Sequence, residues 1–180
     1  NNEFICLRTL QGHDHTVSSI EFIKSVGQIV SCSRDASIRV WDLYNGFVIY
    51  HKAHYNRFCL NTLYGHTDWV RKVSLTSNEE LLASCGNDKV LINHSFDKFM
   101  GLGYTLRNTS NWSSEGELIG HEHVVESITF LSTPQKSSNN LIKNDTTTFL
   151  ASASRDKSIK VWSIERLECV FSLVSLMKIF

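Results

Sequence analysis

Three sets of residues in this chain have the composition of a serine-hydrolase relay. They are His13, Ser31 and Asp35, then His66, Ser84 and Asp88, then His121, Ser152 and Asp156. A hydroxyl, an imidazole and a carboxylate held in line can activate a nucleophile. The sequence argues against that use. The sets recur along the chain, whereas an enzyme assembles one active site, and no GxSxG elbow, P-loop or dinucleotide fingerprint accompanies them. Two tripeptides, His13-Asp14-His15 and His121-Glu122-His123, place His at i and i+2, on one face of a strand, as metal ligands can be placed. Neither belongs to an HExxH motif and no third ligand is visible, so we read them as corner residues satisfied by hydrogen bonds. Cys32 and Cys85 occupy the same place in two copies of one segment, where a third copy has Ala153. That exchange fits a small buried side chain, not a nucleophile. No catalytic residue, cofactor or metal site is therefore expected.

The elements that position these residues are repeated. SCSRDASIRVW at 31–41 and SASRDKSIKVW at 152–162 match at eight of eleven positions, and SCGNDKVLINH at 84–94 is a weaker copy. Each follows a Gly-His corner, LQGHDHTV, LYGHTDWV or LIGHEHVV. His13 precedes Asp35 by 22 residues and His66 precedes Asp88 by 22, but His121 precedes Asp156 by 35. The surplus sits in STPQKSSNNLIKNDTTT, 132–148, a polar stretch with the only Pro, read as a loop inserted between two strands. Between the markers, TVSSIEF, QIVSCS, SIRVW and FVIY are short, rich in β-branched and aromatic residues, and punctuated by Gly and Asn-Gly. No long 3.6-residue apolar period appears. The expectation is an all-β chain of about three four-stranded antiparallel sheets, from units at 1–54, 55–119 and 120–180.

The pattern breaks in three places. In the middle unit His94-Ser95 stand where Trp-Asp is expected, and Trp112 lies far from that position. FVIYHKAH at 47–54 and FCLNTLYGH at 58–66 both fit a fourth strand running into a corner, so one is spare. The segments 47–64 and 93–118 are thus irregular. After Trp162 the next Gly-His is replaced by Ser175-Leu176.

Composition narrows the function class. Lys and Arg number 18 and Asp and Glu 18, so no global field holds nucleic acid or an anionic membrane. Five Cys without a CxxC argue against a disulfide framework and a zinc site, which makes a reducing compartment the default. No apolar run reaches membrane-spanning length, and no signal peptide is seen. The chain starts with Asn and reads as a piece of a longer polypeptide. Asn-x-Ser/Thr matches at Asn93, Asn108, Asn111 and Asn144 read as chance products of composition.

A Gly-His start, an Asp, and a Trp ending the third strand, on a period of roughly 40 residues, resemble the WD-repeat β-propeller family. That resemblance implies a relay inside each blade: His13, Asp35 and Trp41, then His66 and Asp88, then His121, Asp156 and Trp162, all structural. It also implies an open fragment of a seven-bladed ring, with two uncovered flanks, marginal or aggregating when isolated. The corners HDHTVSS, DWVRKV and HEHVVES resemble more closely the lissencephaly, or nuclear-distribution, protein family. This closer resemblance implies a non-catalytic regulator of cytoplasmic dynein in nuclear migration, centrosome positioning and microtubule-based transport. It places the protein in the cytoplasm, at the cytoskeleton and centrosome. Implied partners are the cytoplasmic dynein heavy chain, nuclear-distribution cofactors and the catalytic subunits of a platelet-activating-factor acetylhydrolase. Dimerisation would use an N-terminal region absent from this sequence, and neither nucleic-acid binding nor membrane insertion is implied. A generic WD-repeat adaptor, such as a ubiquitin-ligase substrate receptor, is the alternative.

The resemblance carries over three contact residues, Arg34, Arg71 and Arg155, and Trp69 adds an amphipathic neighbour. The middle unit has Asn87 where the others have Arg. Arg34 and Arg155 precede the turn Asp, and Arg71 follows a corner. Turns and corners of successive blades gather on one flat face, where guanidinium groups can pair bidentately with carboxylates.

Overall fold

The computed structural model describes residues 4–43, 59–96, 112–131 and 148–174. The strand candidate at 47–54, nearly all of the 132–148 insertion and the Ser175-Leu176 break lie outside the described residues. Twelve strands run in chain order. They are β1 (Val17–Ile23), β2 (Gln28–Ser33), β3 (Ile38–Asp42), β4 (Cys59–Leu63), β5 (Val70–Leu75), β6 (Leu81–Gly86), β7 (Val90–Phe96), β8 (Trp112–Ile119), β9 (Val125–Leu131), β10 (Phe149–Ser154), β11 (Ser158–Ser163) and β12 (Glu168–Val174). They form three four-stranded antiparallel sheets in sequence order, β1–β4, β5–β8 and β9–β12. Among the described residues there is no helix, hence none long and apolar enough to cross a membrane.

The first strands β1, β5 and β9 stand side by side, so the sheets fan out as blades. The fourth strands of the first two blades lead straight into the next Gly-His corner. β4 ends at Leu63, one residue before Gly65 is reached through Tyr64, and β8 ends at Ile119, beside Gly120. Of the two fourth-strand candidates in the first unit, Cys59–Leu63 pairs with β3, so a sequence unit begun at residue 55 carries the outer strand of the blade before it.

Two local devices repeat in every blade. The first strand carries a β-bulge against the second. Val17 opposes Ser33 and Ser19 opposes Cys32, leaving Ser18 extra; Arg71 and Glu126 are the extra residues in β5 and β9. A bulge bends the strand and re-aims its side chain. The turn between second and third strands holds one non-Gly residue at positive φ, Ala36 at 65°, Lys89 at 69° and Lys157 at 67°. That conformation is uncommon outside Gly. It is held by the preceding Asp, whose Oδ1 accepts the backbone N–H two residues on, from Ser37 at 2.9 Å, Val90 at 3.3 Å and Ser158 at 2.8 Å.

The core lies between blades. Val30, Cys32, Ile38 and Val40 of the first blade pack against Val70, Val73 and Leu82 of the second. The other face of the second blade, with Ala83, Cys85, Leu91 and Leu118, packs against Val125, Ile128, Leu150 and Trp162 of the third. Glu79, in the β5–β6 turn, adds a polar clamp by accepting the backbone N–H groups of Lys24 and Ser25 at 2.9 and 3.0 Å.

Repeat symmetry exposes the two flanks. Val73 of β5 is covered by the first blade and 0% exposed, while its equivalent in β1, Ile20, is 63% exposed. At the other end, Ile38 of β3 is 2% exposed beneath the second blade, and its equivalent Ile159 in β11 is 47% exposed. Every residue of β12 is exposed, with Phe171 and Leu173 on the open side of that sheet. Apolar flanks of this kind associate in water. Two outcomes follow for the 180-residue chain. Ile20→Lys with Ile159→Lys reduces aggregation, read by light scattering, and leaves the β-sheet circular dichroism unchanged. Ile38→Lys, which buries a charge at the equivalent position, abolishes the folded signal.

Candidate functional site

The His–Ser–Asp sets are braces inside the blades. In the first blade His13 Nδ1–H donates to Asp35 Oδ2 at 2.8 Å, and His13 Nε2 lies 2.7 Å from Ser31 Oγ. The Trp41 indole N–H donates to the same Ser31 oxygen at 2.7 Å. The third blade repeats this with His121 to Asp156 at 2.6 Å, His121 to Ser152 at 2.7 Å and Trp162 to Ser152 at 2.8 Å. Each Asp also accepts a corner N–H, from Asp14, Thr67 or Glu122, at 3.0–3.1 Å. Burial pushes the Asp35 carboxyl up, but hydrogen bonds from Ser37, His13 and the Asp14 backbone outweigh it and hold it well below the usual carboxylate range. Asp156 is held down in the same way by Ser158, His121 and Glu122. Ser31, Ser84 and Ser152 are buried, so the order of a catalytic relay is present without an open face. The corner Gly is needed for this packing, since a Cβ on Gly12 or Gly120 would stand 3.0 or 3.2 Å from the Trp ring.

The middle blade keeps the brace without Trp. His66 bonds Asp88 at 2.7 Å and Ser84 at 2.9 Å, and His94 Nε2 lies 3.2 Å from Ser84 Oγ, where its ring N–H replaces the indole. The corner Gly65 is met instead by Ile92, whose Cδ1 lies 3.0 Å from where a Gly65 Cβ would be. Arg39 and Lys160 hold that position in the other blades. Burial, then the neighbouring His66, lowers the His94 pKa to about 4. The next residue, Asn93, is buried with Oδ1 unpaired among the described residues, where the other blades have Val40 and Val161. Its burial agrees with reading the Asn93 match to Asn-x-Ser/Thr as a chance product of composition. Asn108, Asn111 and Asn144 lie outside the described residues.

The paired-His tripeptides diverge. His13 and His121 enter the braces, while His15 and His123 accept the next backbone N–H at 2.8 and 2.7 Å. Among the described residues no group of three or more His, Cys, Asp or Glu could hold a metal ion. Cys32 and Cys85 are buried, and burial pushes the Cys32 thiol up to about 12 and Cys85 upward as well, which leaves both inert.

The three arginines share one face. The backbone N–H of the turn residue donates to the carbonyl of the corner residue, Arg34 to Thr16, Asn87 to Trp69 and Arg155 to Val124, at 2.9–3.0 Å. Bulge residue and turn residue therefore emerge together at each blade's end. The Arg34 guanidinium crosses the seam to lie 4.3 Å from the Trp69 ring centroid, and Arg71 approaches the same ring at 5.8 Å. Arg71 Nε donates to Asn87 Oδ1 at 2.7 Å, and its Nη1 lies 3.4 Å from Glu126 Oε2. Arg155 donates through Nε to Glu126 Oε1. His15 stands 6.2 Å from Trp69, ring to ring. One continuous chain of contacts thus spans three blades and contains all four residues expected from the sequence. Glu126 was missed. Setting the corners in register, HTVS, DWVR and HVVE, would have found it, because Glu126 stands in the column of Arg71.

The family model for the WD domain, G-beta repeat, matches residues 4–42, 57–92 and 112–163. The chain belongs to the WD-repeat family. Two solved structures with the same blade arrangement, "Structure of U3-55K" and "Crystal structure of RRP9 WD40 repeats", each superpose with a TM-score of 0.66 at 20% identity. They cover 93% of this chain and 42% and 41% of their own. In sequence the chain is similar to proteins named for nuclear distribution. It is 33% identical over 178 residues to PAC1 of Coccidioides posadasii, covering 90% of this chain and 33% of that protein. It is 36% identical over 166 residues to PAC1 of Yarrowia lipolytica, covering 90% and 31%. It is 32% identical over 179 residues to nudF 1 of Talaromyces marneffei, covering 93% and 34%. The chain spans about a third of the length of these relatives.

Two outcomes follow for the middle blade. The unfolded chain protonates His94 near 6.5 and the folded chain only near 4, so between these values the unfolded state binds more protons and stability falls as pH falls. The loss amounts to roughly 3 kcal/mol by pH 4. Denaturant titrations at pH 7 and 4 should show it, and Ile92→Lys with His94→Trp should remove that part of the difference. Asn93→Val, which removes the unpaired oxygen, should raise stability by about 1–2 kcal/mol in the same titrations.

Proposed function

We propose that this chain is part of a non-catalytic interaction scaffold that binds the cytoplasmic dynein motor and acts in nuclear distribution. The observation that carries the reading is the chain of contacts that joins Arg34 and Arg71 at Trp69 and Arg71 and Arg155 at Glu126 on one face of three blades. An exposed Arg34 and a half-buried Arg71 beside a half-buried aromatic have the composition of an interface hot spot for an acidic partner. The names of the similar proteins support the pathway. The non-catalytic part of the reading is supported by the braces, which are buried and recur in every blade.

In this proposal the complete protein closes a seven-bladed ring, dimerises through a region outside this sequence and works in the cytoplasm at the cytoskeleton and centrosome. Nuclear-distribution cofactors and acetylhydrolase catalytic subunits are further partners of the same scaffold. The charge balance of 18 against 18 supports a protein partner over nucleic acid.

The test is a pull-down of dynein motor domain by the full chain carrying Arg34→Ala, Arg71→Ala and Arg155→Ala. Binding should fall more than about tenfold at an unchanged melting temperature, with the parent's loss on added salt much reduced. Unchanged binding by the folded triple variant removes this face as the motor site.

A further inference from the structure

Each blade end presents one bulge residue beside one turn residue: Ser18 with Arg34, Arg71 with Asn87, Glu126 with Arg155. In the second and third blades the pair is closed by a side-chain hydrogen bond, Arg71 to Asn87 and Arg155 to Glu126. Glu126 also reaches Arg71 across the seam, so one carboxylate serves two guanidinium groups. The first blade differs. Its bulge residue, Ser18, carries no charge, and Arg34 instead lies against Trp69. Among the described residues the Arg34 guanidinium has no carboxylate partner.

We propose that the three arginines are unequal: Arg34 on Trp69 is the open receptor for a partner carboxylate, whereas Arg71 and Arg155 are already occupied by Glu126, which holds the place a second partner carboxylate would take. This rests on reading the face as the docking surface for an acidic protein. A guanidinium against an indole uses its π-face and keeps its N–H edge for a carboxylate. Contact with the ring removes water from one side beforehand, so less is lost on binding. At Arg71 and Arg155 the exchange is of one carboxylate for another and gains little. Glu126 therefore limits affinity. The four charges sum to +2 with Glu126 ionised, and an uncharged side chain there leaves +3. Gln keeps the acceptor oxygen, and Asn87 still holds Arg71, so Glu126→Gln changes charge without releasing Arg71.

Two probes test this on the full chain: the dynein motor domain, and a synthetic peptide of alternating Glu and Gly. Affinities are measured by fluorescence anisotropy, with circular dichroism melts as the control for folding. Arg34→Ala should weaken binding about tenfold or more, Arg155→Ala less than about threefold. Glu126→Gln should strengthen binding about two- to fivefold, and in that background the cost of Arg155→Ala should grow. A larger loss from Arg155→Ala than from Arg34→Ala, or weaker binding by Glu126→Gln, overturns the proposal. Peptide binding in the expected order with no motor binding upholds it and removes the dynein reading. Motor binding that ignores the order does the reverse.

Discussion

A single buried carboxylate at the head of each sheet, Asp35, Asp88 or Asp156, is the constraint on which the rest depends. One oxygen takes the imidazole and the corner N–H, and the other holds the strained turn. The corner before the first strand is thereby tied to the turn after the second. The tie acts through space and tolerates a change in the chain between them. His121 and Asp156 are 35 residues apart, against 22 in the other blades, and the same contact forms at 2.6 Å. Closing a longer loop costs little, because loop entropy rises only slowly with length. The insertion is therefore carried without loss of the brace.

The middle blade shows what the brace requires of its fourth member. The Ser oxygen needs a ring N–H donor more than it needs an indole. His94 provides one, and Ile92 meets the corner glycine that a Trp meets elsewhere. The substitution is paired, since the Arg39 and Lys160 positions become apolar only where the Trp is gone. It leaves an imidazole that is buried neutral, with its pKa lowered by burial to about 4. A polar donor has been kept at the expense of insensitivity to acid.

The candidate face is a consequence of the same architecture. A bulge and a turn exist in each blade for reasons of sheet closure, and together they set two side chains at the blade's end. Because the blades fan from adjacent first strands, these pairs become neighbours, and side chains from three blades form one chain of contacts. The braces stay inside. The recognition proposed for this face would fall to residues whose identity the fold leaves free, and Ser18, Arg71 and Glu126 do differ at one structural position.

How much could be read beforehand differs by element. The spacing of Gly-His to Asp, the alternating strands and the Trp determined blades, brace and turn, since each depends on residues within one unit and recurs in register. The sharing of a face by Arg34, Arg71 and Arg155 also followed from their places at corners and turns. The tertiary structure alone decided that Cys59–Leu63 is the outer strand of the first blade, that His94 stands in for the indole, and that Glu126 joins two arginines. It likewise decided that Ile20 and Ile159 face outward while their equivalents are buried. The reason is physical. A repeat encodes the local hydrogen bonds and burial pattern of its own sheet, but contacts across a seam depend on which neighbour stands there, and identical residues can be core in one blade and surface in the next.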